Sequence, residues 1–217
     1  MAKYFNYFPK TFYATNTTGS GVDLVTNVIS RFTFNSAFKN NAAIFYEYDI
    51  KDGDTPETIA YKLYGDAEKH WIVLLFNDII DPQYDWPLQQ DSLIKFIDEK
   101  YAANGAANST VQTGAVWAQS TNNKHSYYKI VTKTSSTDTT IEKLRVDANT
   151  YANVSLYTAT RVLADGTSIV EEVTKESKTF YDYEVEVNES KRSIKLLKQE
   201  FIPEVEKEFK RVIKKWR

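Results

Sequence analysis

Residues 48–88, YDIKDGDTPETIAYKLYGDAEKHWIVLLFNDIIDPQYDWPL, decide the fold of this 217-residue chain. They continue an alternating, β-prone run that starts at Ile44, so the spacing predicts a strand over 44–50, ended by the turn Asp52-Gly53-Asp54. Thr55 followed by Pro56 is a helix start: a hydroxyl that caps free N–H groups, then a proline where no donor is needed. Ile59, Ala60 and Leu63 fall on one face of that helix, and Gly65 supplies a left-handed stop. A second helix is predicted over 67–77, with Trp71, Leu74, Leu75 and Asp78 at helical spacing. Pro82 and Trp86-Pro87 mark an irregular connection, and 88–101 reads as helix again, striped by Leu93, Ile94, Phe96 and Ile97.

Outward from this centre the texture changes. Residues 1–43 form an aromatic arm and linker: Tyr4, Phe5, Tyr7, Phe8, Phe12 and Tyr13 crowd around Pro9, a Thr/Asn/Gly loop follows at 16–21, and the spacing of Val22, Val25, Val28, Ile29 and Phe32 allows a short helix. Residues 102–180 open in Ala, Asn, Gly, Ser and Thr and then alternate over 127–132, 141–146 and 156–174, which marks a β-rich insertion. Asp165-Gly166 within it is a hairpin signal, because both residues tolerate turn backbone angles. Residues 181–217 are read as a hairpin and a helix. Tyr181, Tyr183, Val185 and Val187 alternate with acids, and closing a hairpin on Glu189-Ser190 sets Val185 opposite Ile194, Tyr183 opposite Leu196 and Glu184 opposite Lys195. Pro203 then opens an amphipathic helix with Val205, Phe209, Val212, Ile213 and Trp216 on one stripe.

Composition narrows the chemistry. A chain with 42% hydrophobic and 26% charged residues is globular and long enough to bury a core. With no cysteine there is no disulfide framework, thiolate metal site or cysteine nucleophile, and His70 and His125 are the only side chains of ordinary neutral titration. The start, MAKYFNYFPKTFY, lacks a leader pattern and no apolar run reaches membrane length, which predicts a protein made in a cytoplasm. The net charge of −2 is unevenly spread: residues 191–217 hold ten Lys/Arg against four Asp/Glu, and residues 1–190 hold 17 against 25.

The motifs that would carry catalysis are absent or better read as structure. Asp49, Asp52 and Asp54 invite a calcium reading, but the twelfth position from Asp49 is Ala60 rather than a bidentate Glu, so they read as turn and cap residues. Asp78, Asp81 and Asp85 read as solvated turn positions, and His70 and His125 as packing residues. There is no G-x-S-x-G, H-E-x-x-H or phosphate-cradling loop, so no catalytic residue, metal or cofactor is expected and the chain does not read as an enzyme. Trp71 and Trp86 are either core or aromatic anchors of a partner interface. Candidate partner-interface residues are Tyr7, Phe8, Trp71, Tyr84, Trp86, Phe209 and Trp216. The two lysines of the arm are too few for nucleic acid, and the acids within the C-terminal helix speak against membrane or nucleic-acid binding.

The segment from the strand through Gly53-Asp54-Thr55, Ile59-Ala60, Leu74-Leu75 and Asn77 resembles the LysM module. In glycan-binding LysM modules the βαα unit closes with a second strand, whereas here Asp81-Pro82, Trp86-Pro87 and another helix follow. A longer ordered set is similar to the baseplate wedge protein 53 family of T-even-like contractile-tailed bacteriophages. It comprises Tyr7-Phe8-Pro9, Gly53-Asp54-Thr55-Pro56-Glu57, Leu63-Tyr64-Gly65, Trp71 to Leu75 with Asn77, Asp81-Pro82, Trp86-Pro87-Leu88, Lys100-Tyr101, Asn188-Glu189, Lys191-Arg192 and Ile194-Lys195. The residue patterns and the LysM resemblance together predict an α+β protein with a LysM-like βαα centre and added helices over 44–101, a β-rich insertion, and a C-terminal β-hairpin plus amphipathic helix. The resemblance to the wedge family implies a structural part present in several copies in the six-fold baseplate of the virion, connecting adjacent wedges near the tail tube during tail assembly. The implied partners are other wedge proteins, namely the trimeric core bundle of its own and the neighbouring wedge, and the sheath-initiating baseplate protein, with the central hub as a further contact. Binding of glycan, such as peptidoglycan, is the alternative function.

Overall fold

A computed structural model describes residues 4–14, 21–29, 33–34, 36–107 and 112–214. The chain is an α+β protein of two compact units. Met1–Leu88 and Ser190–Arg217 form the first, and Gln89–Glu189 the second.

In the first unit a short 3-10 turn, Tyr4–Tyr7, leads into β1 (Lys10–Ala14), which pairs antiparallel with β2 (Val22–Thr26), Phe12 opposite Leu24. The helix expected within 22–32 is thus replaced over 22–26 by a strand, because the β-prone run 22–26 pairs with the β-prone run 10–14; Phe32 lies outside the described residues. After α1 (Ser36–Lys39) comes β3 (Phe45–Asp49), then α2 (Pro56–Tyr64). Thr55 and Thr58 form a reciprocal capping box at the start of α2, and Gly65 closes it at φ 71°, a left-handed angle that favours glycine. The next expected helix is a 3-10 turn, Ala67–Lys69, running into α3 (His70–Phe76), and Asp81 caps the short α4 (Pro82–Asp85).

The second unit begins with α5 (Gln90–Lys100), α6 (Ala102–Ala106) and α7 (Gly114–Gln119). The last two occupy the Ala-, Asn- and Gly-containing opening of the segment read as a β-rich insertion. A Cβ on Gly114 would lie 2.1 Å from the Asp98 carbonyl oxygen and one on Gly105 2.4 Å from that of Gln112, so these small residues permit the close helix approach. A four-stranded antiparallel sheet follows in the order β5-β4-β7-β6: β4 (Lys124–Thr134), β5 (Thr139–Val146), β6 (Tyr157–Val162) and β7 (Ser168–Thr179), with α8 (Ala148–Asn153) between β5 and β6. The Asp165-Gly166 hairpin forms as expected, Val162 opposite Ser168 and Gly166 at φ 85°.

α9 (Phe180–Ser190) corrects the sequence reading: 181–187 is a helix, so there is no hairpin and Val185 does not face Ile194. Thr179 and Asp182 explain it. The Thr179 hydroxyl accepts the Asp182 N–H at 3.1 Å while the Asp182 carboxylate accepts the Thr179 N–H at 3.1 Å, a reciprocal box that nucleates a helix. Its fully buried positions, Glu184 and Asn188, are four apart and polar, so alternation of Tyr and Val with acids misrepresents its period.

Back in the first unit, β8 (Ser193–Leu197) pairs antiparallel with β3, Tyr48 opposite Ile194 and Tyr46 opposite Leu196. The strand that no nearby sequence supplies to close the βαα segment therefore arrives from beyond the second unit. A 3-10 turn, Gln199–Phe201, leads to α10 (Ile202–Lys214). Ile44, Ile50, Ile59, Ala60, Ile72, Val73, Phe76, Ile194, Leu196, Val205 and Phe209 are buried in one cluster, the apolar burial that holds this unit together.

Candidate partner interface

The aromatic arm begins folded against its own unit. Tyr4 stacks on Phe209 (centroids 5.1 Å, 13° between planes) and on Trp71 (5.0 Å, 26°), and Trp71 lies 4.7 Å from Phe209. Burial pushes the Tyr4 hydroxyl up to about 12. Phe8 and Trp71 are buried and Phe209 is 1% exposed, so three of the seven candidate residues pack internally. Tyr7 is half-buried, with the Lys210 ammonium 4.8 Å from its ring centre.

Trp86 and Tyr84 lie at the surface or partly so. Trp86 is half-buried, and its indole N–H donates to the Asp54 carbonyl at 3.0 Å. Tyr84 is 61% exposed, and its carbonyl accepts from the Lys191 ammonium at 2.5 Å. Trp216 lies outside the described residues.

The carboxylates of the central segment serve the fold. Buried Asp54 accepts from Lys62 Nζ at 2.8 Å, from the Tyr48 hydroxyl at 2.7 Å and from the Lys51 N–H at 3.2 Å. Lys62 foremost, then Tyr48, holds its carboxyl below the usual range; in return the Asp54 hydrogen bond and burial push the Tyr48 hydroxyl up to about 12. Asp52 pairs with Arg192 at 2.8 Å and Asp78 with Lys39. Asp81 caps α4 through the Gln83 N–H, while Asp85 accepts the N–H groups of Ile80 and Asp81. His70 Nδ1 sits 3.0 Å from the Ala67 carbonyl oxygen, and His125 stacks at 3.7 Å on Tyr183. Among the described residues no three His, Cys, Asp or Glu side chains come together in a metal-holding group, and no helix is long and apolar enough to cross a membrane.

Sequence spacing conceals one exposed apolar feature of the arm. All five residues of β1 are exposed, as are Val22 to Val25 of β2. Phe12 (74% exposed) and Leu24 (54%) are direct cross-strand neighbours, Val22 faces Ala14 on the same side, and Val28 and Ile29 follow just beyond. Reading 22–32 as a helix separates these side chains; the signal that joins them is two β-prone runs flanking a Thr/Asn/Gly loop.

An α+β chain with an unburied apolar ribbon and carboxylates committed to turns has the properties of an assembly component. Comparison with known proteins specifies the class. A family model described as base plate wedge protein 53 matches residues 3–212, and the chain belongs to that family of phage baseplate proteins. It is also similar to the baseplate wedge protein gp53 of Enterobacteria phage T4, with 35% identity over 54 residues, 25% of this chain and 28% of that protein. The match to that curated relative thus spans just over a quarter of the relative's length.

Proposed function

We propose that this protein is a non-enzymatic connector that joins adjacent wedges of the baseplate near the tail tube, assembled in the host cytoplasm and carried in the virion tail. The observation that supports the reading most is the β1–β2 ribbon. An isolated two-stranded hairpin is marginally stable in water, and this one exposes Phe12, Tyr13, Val22 and Leu24. A neighbour that covers those side chains would supply the burial that the chain itself does not. Tyr84, Trp86, Tyr7 and Trp216 are the further anchors in this reading, while Phe8, Trp71 and Phe209 support the arm from beneath. The partners are the trimeric core bundles of its own and the neighbouring wedge, the sheath-initiating protein and the hub, in a six-fold set of copies.

One observation favours glycan binding as the second reading: β3, α2, α3 and β8 compose a βααβ unit, the order in which a LysM-like module closes. Incubating the purified chain in parallel with purified wedge proteins of the same phage and with insoluble peptidoglycan separates the two. Co-sedimentation with wedges alone supports the connector; retention on peptidoglycan alone sinks it.

A further inference from the structure

The two edges of the β3–β8 ribbon are treated unequally. The Lys198 N–H donates to the Ile44 carbonyl and the Ile50 N–H to the Arg192 carbonyl, each at 2.9 Å, which sets the phase of the ladder. In an antiparallel pair the alternate residues direct their N–H and C=O groups away from the partner strand. On β8 three of those outward groups are capped: Asn77 takes the N–H and the carbonyl of Lys195, and the Tyr64 hydroxyl donates to the Leu197 carbonyl at 3.0 Å. On β3 the outward groups belong to Phe45, Glu47 and Asp49, and among the described residues none has a hydrogen-bond partner. No strand lies on that side, since the sheet order is β3-β8 alone among the described residues.

An open edge is a template for another strand, and the side chains along it choose which. Glu47 and Asp49 are both exposed and point to the same face, two residues apart. A second copy of this edge would bring carboxylates against carboxylates, so self-pairing is disfavoured. Within the ribbon itself Glu47 already faces Lys195 across the strands, the acid–base match that a strand on the other side could repeat.

We propose that the outer edge of β3 is a strand-addition site for an extended segment of a different protein carrying Lys or Arg at alternate positions. Main-chain hydrogen bonds to Phe45, Glu47 and Asp49 would supply the pairing, and the two carboxylates the selectivity. The inference concerns the chemistry of the segment and does not depend on where the protein sits in the particle.

The test is amide NMR of the full chain titrated with a short end-capped peptide of alternating Lys and Val. The expected result is saturable shifts centred on β3 and about tenfold slower exchange of the Phe45, Glu47 and Asp49 amides. The same peptide with Glu for Lys, or with its alternate peptide nitrogens methylated, should leave those amides unchanged. Glu47→Pro removes an N–H that serves no ladder bond, so it should keep the fold and lose the peptide. Glu47→Lys combined with Asp49→Lys should fold and reverse the preference between the Lys and Glu peptides. Absence of protection with the Lys peptide, or undiminished binding of the methylated peptide or to Glu47→Pro, overturns the proposal.

Discussion

The Asn77 side chain grips the Lys195 peptide from both ends: its carboxamide oxygen accepts the Lys195 N–H at 2.7 Å and its nitrogen donates to the Lys195 carbonyl at 2.8 Å. The same nitrogen donates to the Val73 carbonyl, so one residue ties the end of α3 to the strand that returns from the second unit. Asn77→Ala should destabilise the first unit by about 2 kcal/mol through loss of these bonds. Asn77→Asp should cost more, since a carboxylate cannot donate to the two carbonyls. Urea denaturation with calorimetric separation of the units checks both; equal stability of the three proteins would dismiss the clamp.

Asp54 predicts a pH dependence. Its folded carboxyl lies below the ordinary value, with Lys62 as the main cause. Such a group contributes stability at pH above its unfolded value of about 3.9 and loses it as pH falls through the folded value. Asp54→Asn should therefore be less stable than the natural chain at neutral pH, by about 1–2 kcal/mol given that Lys62 returns to water. The two stability curves should converge as the pH drops below about 4. Parallel curves from neutral to acid would show that the carboxylate is not the source.

Glycines of different duty should respond differently to alanine. Gly65→Ala meets no neighbouring atom and only strains a left-handed angle, a cost of about 1 kcal/mol. Gly114→Ala drives a methyl into the backbone at Asp98, Tyr101 and Ala102 and should cost about 3 kcal/mol or more. Thermal melts of the two variants suffice, and a Gly114→Ala protein as stable as Gly65→Ala would contradict the helix packing of the second unit.

Local signals were the legible ones. Thr55-Pro56, Gly65 and Asp165-Gly166 act through one or two residues' own backbone preferences, and each lies where its chemistry places it. Pairings between distant segments were not legible. Nothing near Tyr48 announces Ile194 as its neighbour, and the alternation at 181–187 is overruled by the Thr179–Asp182 box and by a buried Glu184 that Lys100 and Tyr101 satisfy at 2.7 Å each. Among the candidate interface residues aromatic character alone could not separate Phe209, which fills the core, from Tyr84, which faces solvent. The apolar ribbon was hidden because Val22, Val25 and Ile29 also fit a helical spacing.

Core and ribbon should therefore part company under mutation. Phe209→Ala opens a cavity beneath Tyr4 and Trp71 and should cost about 3–5 kcal/mol. The pair Phe12→Ser and Leu24→Ser should change the melting of the free chain by little, about 0.5 kcal/mol, because those side chains are exposed already. The same pair should weaken recruitment to purified wedge proteins in a sedimentation assay. Loss of stability without loss of recruitment would place the ribbon in the protein's own fold.

The most direct test of the connector reading is a cryo-electron-microscopy reconstruction of the intact tail carrying this protein. The expected map shows six-fold related copies, each contacting two adjacent wedges beside the tail tube, with Phe12 and Leu24 covered by a neighbour. Copies that touch a single wedge at the periphery of the baseplate, with the ribbon in solvent, would contradict it.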